Sequence, residues 1–242
     1  MPAQPHTYIG KYPFYGHDMG IVLLDIKIPR PSGDIGNARS FAYPVDYEVA
    51  AGATGKDMHT DPNERVMRSV LDAAQRLVAR GVKALATSCG LLAVYHDKVV
   101  AELGVPMVTS SLLQIPLALR VISPGKKIGV VTVDSKALTP AHFTGVGVSD
   151  QDMRRVVIAG MEHTDAFFPA ITRNGQELDV DRARQDVLDV TAQLLEREPD
   201  IGGLVLECTN LCVYSDALRE AFGLPVWDAV GLVDWLTASV SS

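Results

Sequence analysis

Lys83-Ala84-Leu85-Ala86-Thr87-Ser88-Cys89-Gly90-Leu91-Leu92 runs from an apolar segment through a cysteine into an amphipathic one, and Gly202-Gly203-Leu204-Val205-Leu206-Glu207-Cys208-Thr209-Asn210-Leu211 does the same 119 residues later. Setting Cys89 on Cys208 without gaps also matches Leu92 with Leu211, Val94 with Val213, Tyr95 with Tyr214, Asp97 with Asp216, Gly104 with Gly223 and Pro106 with Pro225, seven identities in eighteen positions. Each half therefore reads strand, cysteine, helix, glycine, strand. A period of half the chain describes two pseudo-twofold lobes, because solenoid repeats are much shorter.

Working outward, short Val/Ile/Leu runs alternate with longer amphipathic stretches, the pattern of strands and crossover helices in a parallel sheet. The spacing predicts strands at Gly20 to Ile26, Tyr43 to Ala50, Val82 to Thr87, Val105 to Thr109, Lys127 to Val133, Arg154 to Gly160, Ile201 to Leu206 and Leu224 to Asp228. Helices are expected at Asn63 to Arg80, Leu91 to Leu103, Leu112 to Ile122, Asp179 to Arg197 and Leu211 to Phe222, with Gly81, Gly104 and Gly223 as left-handed residues just past helix ends. The fold class is α/β, with two pseudo-symmetric three-layer lobes, mostly parallel sheets and an active site in the interlobe cleft. The first lobe is placed at residues 1–115, completed by 229–242, and the second at 116–228. No linker or low-complexity segment separates them, so they should pack closely.

A chain of 242 residues, 47% hydrophobic, can bury a full core. The net charge of −7 and the lack of a Lys/Arg block argue against nucleic acid or an anionic membrane as partner and favour a small molecule. The stretch Met1 to Lys11 is polar, and no apolar run is long enough to span a bilayer, so a cytoplasmic protein is expected. Cys89, Cys208 and Cys212 are too few for a disulfide framework. No Cys-x-x-Cys, His-Glu-x-x-His or clustered carboxylates suggest a metal, and Pro31 to Asn37 lacks the lysine of a phosphate loop, so neither metal nor cofactor is expected. That segment reads as a structured loop over the first strand's carboxyl end, and Arg30 and Asp34 are its candidates for substrate contact.

Each repeated cysteine stands at the carboxyl end of a buried strand, the edge where open α/β sheets bind ligands. Backbone N–H groups at the following helix start favour thiolate, so both cysteines are expected to serve as bases near neutral pH. Two opposed thiols can take a proton from one face of a carbon and return one to the other. The carbanion needs preorganised donors. Thr209 and Asn210 beside Cys208, Gly90 beside Cys89, and Ser110, Ser111, Thr132 and Ser135 at neighbouring strand ends are the candidates for a carboxylate cradle. Cys212 aligns with Ala93 and reads as packing, as do Tyr95 and Tyr214, while His163 is a weaker candidate for the site.

Thr87-Ser88-Cys89-Gly90 and Glu207-Cys208-Thr209-Asn210-Leu211 resemble the paired motifs of the aspartate/glutamate racemase superfamily, over nearly the whole chain. The resemblance implies Cys89 and Cys208 as the acid/base pair, Thr132 to Ser135 as a substrate-binding turn, no cofactor and frequent homodimers. Free amino-acid racemases usually follow the first cysteine with Asn-Thr, where this chain has Gly90-Leu91. Together with Pro29 to Gly36, that Cys-Gly pair looks closer to the branch of the algal-type dimethylsulfoniopropionate lyases. The expected activity is racemisation or epimerisation of a small carboxylate, an amino acid or derivative. The alternatives are a lyase that starts with the same proton abstraction, and a two-lobe binding protein without chemistry.

Overall fold

The computed structural model describes residues 10–58, 63–173 and 177–241, so most of the polar stretch Met1 to Lys11 and the terminal Ser242 lie outside the described residues. Strands β1 (Met19–Leu24), β2 (Val45–Ala50), β3 (Ala84–Thr87) and β4 (Met107–Val108) form one sheet in the order β2-β1-β3-β4. Strands β5 (Lys127–Thr132), β6 (Val156–Gly160), β7 (Ile201–Leu206) and β8 (Val226–Trp227) form a second in the order β6-β5-β7-β8. Every pairing among the described residues is parallel. The chain is thus a two-lobe α/β protein with matching sheets.

The central strands read as apolar runs because helices cover both faces. Ile201–Leu206 has the bounds its composition predicts. The edge strands β4 and β8 are shorter than expected, two residues each, and each begins just after a proline. Pro106 and Pro225 have no N–H to give a ladder, but their carbonyls accept from Leu85 and Leu204 at 2.9 Å, which suits an edge position.

The helix Glu64–Arg80 starts where Asn63 accepts the Val66 N–H, and Val180–Arg197 starts where Asp179 accepts that of Arg182. Gly81 and Gly223 take left-handed conformations at helix ends as expected, but Gly104 does not, since the helix before it has already ended at Ala101. The short helices Gly55–Met58, Pro140–Thr144, Asp150–Met153 and Phe167–Thr172 were not anticipated. They are four to six residues long, too short for a periodicity to show.

Both halves cross over at the same point. After β4, the helix Ile115–Val121 packs against β5 of the other sheet. After β8, the helix Ala229–Val240 returns to the first sheet, where Leu232, Val233 and Leu236 join Met19, Ile21, Ala84 and Ala86 in one core. The lobes are therefore interlocked. No helix among the described residues is long and apolar enough to cross a membrane.

A glycine marks the middle of each sheet. On β1, a Cβ at Gly20 would lie 3.0 Å from Leu85 Cδ2 and 3.1 Å from Leu77 Cδ1. On β5, a Cβ at Gly129 would lie 2.9 Å from Leu204 Cδ2 and 3.0 Å from Leu194 Cδ2. The leucines already fill the space a side chain would need. Gly20→Val and Gly129→Val should each destabilise the protein by about 1–3 kcal/mol through overpacking, measured by urea unfolding; unchanged midpoints would show that the helices slide to accommodate the larger residue.

Candidate active site

Cys89 and Cys208 are extended residues (φ −148°, ψ 115° and φ −72°, ψ 122°) that open 3-10 turns, Gly90–Tyr95 and Thr209–Tyr214. Regular helices follow only at His96–Ala101 and Ser215–Phe222. The expected continuous helices from Leu91 and Leu211 are thus corrected to tighter turns at the cysteines. A 3-10 rise of about 2.0 Å per residue places Tyr95 and Tyr214 roughly 12 Å from their cysteines. They serve packing: Tyr95 donates its hydroxyl to the Asn63 carbonyl, and Tyr214 packs edge-on against Phe167.

The two sheet edges face each other across a cavity of about 370 Å³. Its apolar wall is Leu24, Ile26, Met58, Leu91, Val133 and Ile171, and its polar side includes Ser88, Cys89, Gly90, Thr172, Glu207, Cys208, Thr209 and Asn210. Five sequence candidates, Cys89, Gly90, Cys208, Thr209 and Asn210, are thereby brought together. Among the described lining residues there is no Lys, Arg or His, and Glu207 is the one carboxyl group.

The other four candidates stand back from this cavity and have partners of their own. Ser110 caps the turn Ser111–Gln114 through the Leu112 N–H, and Ser111 donates to the Leu206 carbonyl at 2.5 Å. Thr132 donates to Glu207 Oε2 at 2.6 Å, and Ser135 to Glu162. His163, beside Glu162, is exposed. Cys212 is buried in the core under the helix Ala229–Val240. No group of three His, Cys, Asp or Glu side chains among the described residues could hold a metal ion.

The loop after β1 reaches the site through a relay. Arg30 pairs with buried Asp34 at 2.8 Å, and Asp34 Oδ2 accepts the Asn210 amide at 2.6 Å. A carboxylate only accepts, so this bond fixes the Asn210 amide with Nδ2 toward Asp34 and Oδ1 toward the cleft. The Cys208 thiol donates to that Oδ1 at 3.5 Å. An amide oxygen there holds Cys208 in its protonated form.

Cys208 receives one backbone N–H, from Asn210, and Cys89 has more groups on the thiolate side. The backbone N–H groups of Leu91 and Leu92 and the charge of Arg30 all favour its thiolate. Burial and the neighbouring Glu207 nevertheless outweigh them and push the thiol up to about 12. Cys208 is also driven well above the ordinary thiol range, by burial first and Glu207 second. The expectation of thiols poised to ionise near neutral pH is therefore overturned, because the turn N–H groups act inside a site that desolvation dominates.

Glu207 is the buried carboxyl at this cavity that the sequence reading does not single out. It is 1% exposed, and burial raises its carboxyl from 4.5 to about 7, while the Thr132 hydroxyl opposes the rise. Among the described residues its Oε1 finds no hydrogen-bond partner. A Cβ on Gly90 would collide with the Glu207 carbonyl and with Oε1, so the glycine leaves room for this carboxyl. The available signal was a charged residue ending an otherwise apolar strand, opposite the neutral Ser88 in the repeat.

In sequence, the chain is 30% identical over 232 residues to a dimethylsulfoniopropionate lyase of Durusdinium sp. clade D, covering 93% of this chain and 76% of that one. It is 29% identical over 220 residues to dimethylsulfoniopropionate lyase 7 of Emiliania huxleyi (strain CCMP1516), covering 88% of this chain but 64% of that relative's length. In structure, a glutamate racemase of Bacillus anthracis matches with a TM-score of 0.60 at 16% identity, over 94% of this chain and 84% of the other, a likeness of fold. No protein-family model matches the chain.

A buried carboxyl raised from 4.5 to about 7 makes the folded state bind a proton the unfolded state has lost. Stability is then greatest below the unfolded value, falls between about pH 4.5 and 7, and is flat above. Glu207→Gln removes the ionisation, so the variant should exceed the parent by about 3 kcal/mol at pH 8 and match it near pH 4, at about 1.36 kcal/mol per unit. Chemical denaturation at the two pH values checks this; an equal difference at both would assign the effect to packing.

Proposed function

The chain belongs to the family of the algal-type dimethylsulfoniopropionate lyases, in the aspartate/glutamate racemase superfamily, and from that membership we propose that it is a lyase acting on a β-sulfonio carboxylate such as dimethylsulfoniopropionate. One cleft thiol removes the proton next to the carboxylate, and the bond to the β-sulfonium breaks to release a neutral sulfide and an alkenoate.

The inequivalence of the two thiols carries this reading. Racemisation in both directions asks each cysteine to act in turn as base and acid, whereas elimination needs one base. Cys89 receives two backbone N–H groups and the field of Arg30, whereas Cys208 receives one backbone N–H, from Asn210, and donates to that residue's side-chain oxygen. Cys89 fits the base. Cys208 stays a thiol and can donate to the charge that develops on the substrate.

The wall of the cavity suits the same substrate. Six apolar side chains accept methyl groups on sulfur, which offer no hydrogen bonds. A carboxylate would be held by backbone N–H groups at the openings of the two 3-10 turns, since no cationic side chain is among the described residues that line the cavity. The Thr209 hydroxyl is donated to the Ser88 carbonyl and the Asn210 amide to Asp34, so these two shape the cradle rather than donate into it.

Racemisation is the second reading, supported by two cysteines meeting at one cavity from opposite lobes. Proton NMR in D2O with dimethylsulfoniopropionate, acidic amino acids and hydantoins separates the two. The expected result is acrylate and dimethyl sulfide, with the rate cut roughly 10²–10⁴-fold by Cys89→Ser or Cys208→Ser. Deuterium entering an amino acid's α-carbon with loss of optical rotation, and no alkene, would assign racemisation instead.

A further inference from the structure

We propose that Glu207 is the internal proton acceptor that ionises Cys89 across the cleft. The inference deepens the proton-abstraction reading of this site and rests on it. Glu207 directly follows β7 in the second lobe, yet its carboxyl lies against Gly90, the residue after Cys89 in the first. One oxygen is anchored by Thr132. The other is buried, without a hydrogen-bond partner among the described residues, in a residue that lines the cavity with both thiols.

The charges that bear on this carboxyl are few. Cys89 and Cys208 both feel its charge, with no hydrogen bond from either to Oε1. From β5 it meets the neutral Thr132. The Arg30–Asp34 pair acts one residue further out, Arg30 on Cys89 and Asp34 on Asn210. Loss of the Cys89 proton to water, with Glu207 ionised, would leave two negative charges in one buried cavity. Transfer to Glu207 leaves one. It also abolishes the repulsion from Glu207 that contributes to the high pKa of Cys89, so the gap between about 12 and about 7 overstates the cost of the transfer.

The step balances. The Cys89 S–H bond breaks, sulfur keeps the electron pair, and the proton bonds to Glu207 Oε1. The thiolate then takes the substrate α-proton. The C–H pair becomes the new C=C bond, and the β-carbon–sulfur pair leaves with the neutral sulfide. Cys89 is again a thiol, and Glu207 gives its proton to water. One proton is released per turnover, which is what conversion of a β-sulfonio carboxylate to sulfide and alkenoate requires.

Alkylation of Cys89 by iodoacetamide, followed by peptide mass spectrometry between pH 5 and pH 9, tests the pair without any substrate. The parent rate should rise through a midpoint near 7 and level off, as Glu207 becomes able to accept the proton. In Glu207→Gln the step should vanish, leaving a climb of about tenfold per pH unit as an isolated thiol gives. Glu207→Asp, a second variant that keeps the carboxyl, should restore the inflection. The same step should form the acid limb of kcat on dimethylsulfoniopropionate and disappear in Glu207→Gln, with KM little changed. An inflection that survives in a folded Glu207→Gln, or a parent without one, overturns the proposal. An inflection without turnover of any β-sulfonio carboxylate supports the proton pair and sinks the lyase reading.

Discussion

Two buried hydroxyl-to-carbonyl bonds set the width of the cleft. Ser111 of the first half donates to the Leu206 carbonyl of the second, and Thr209 of the second donates to the Ser88 carbonyl of the first at 2.7 Å. Each carbonyl ends a central strand, where parallel pairing has run out. Without the hydroxyl, a buried acceptor would be left unsatisfied at a cost of about 1–3 kcal/mol. The pair therefore holds the two carboxyl edges together, and with them Cys89, Cys208 and Glu207. The interlocked helices Ile115–Val121 and Ala229–Val240 make the same junction part of the core.

The pseudo-symmetry of the backbone is broken by side chains at the site. Gly20 and Gly129 take matching places on β1 and β5, and Pro106 and Pro225 and the two cysteines repeat in sequence. Ser88 and Glu207 do not, nor do Gly90 and Thr209. Removing the side chain at 90 and placing a carboxyl at 207 gives a site with one negative group shared between two thiols. Asn210, turned by Asp34, then makes the thiols inequivalent. A fold that it shares with racemases thus carries two thiols in unlike surroundings.

Much of this was legible in the amino-acid sequence. Ile201–Leu206 could be bounded closely because a strand buried on both faces is an uninterrupted apolar run between polar ends. The repeat located both cysteines without any structure. The 3-10 turns after them are not distinguished from helix by sequence, since a stretch of six residues is too short to separate a period of about 3.0 from about 3.6. Glu207 was passed over for a different reason. A glutamate at a strand end reads as a solvated terminus, and its burial depends on Gly90 in the other half. The Asp34–Asn210 bond is equally nonlocal, and it turns the Asn210 oxygen toward Cys208.

The central claim is that a buried, half-satisfied Glu207 carboxyl governs the ionisation of the cleft thiols. Carbon-13 NMR of the protein labelled at the glutamate carboxyl carbon, with the Glu207 signal identified by its loss in Glu207→Gln, reads that group directly. A midpoint near 7 is the expected result. A midpoint near the ordinary value of 4.5 would mean that Glu207 is already a settled carboxylate, and would contradict the account.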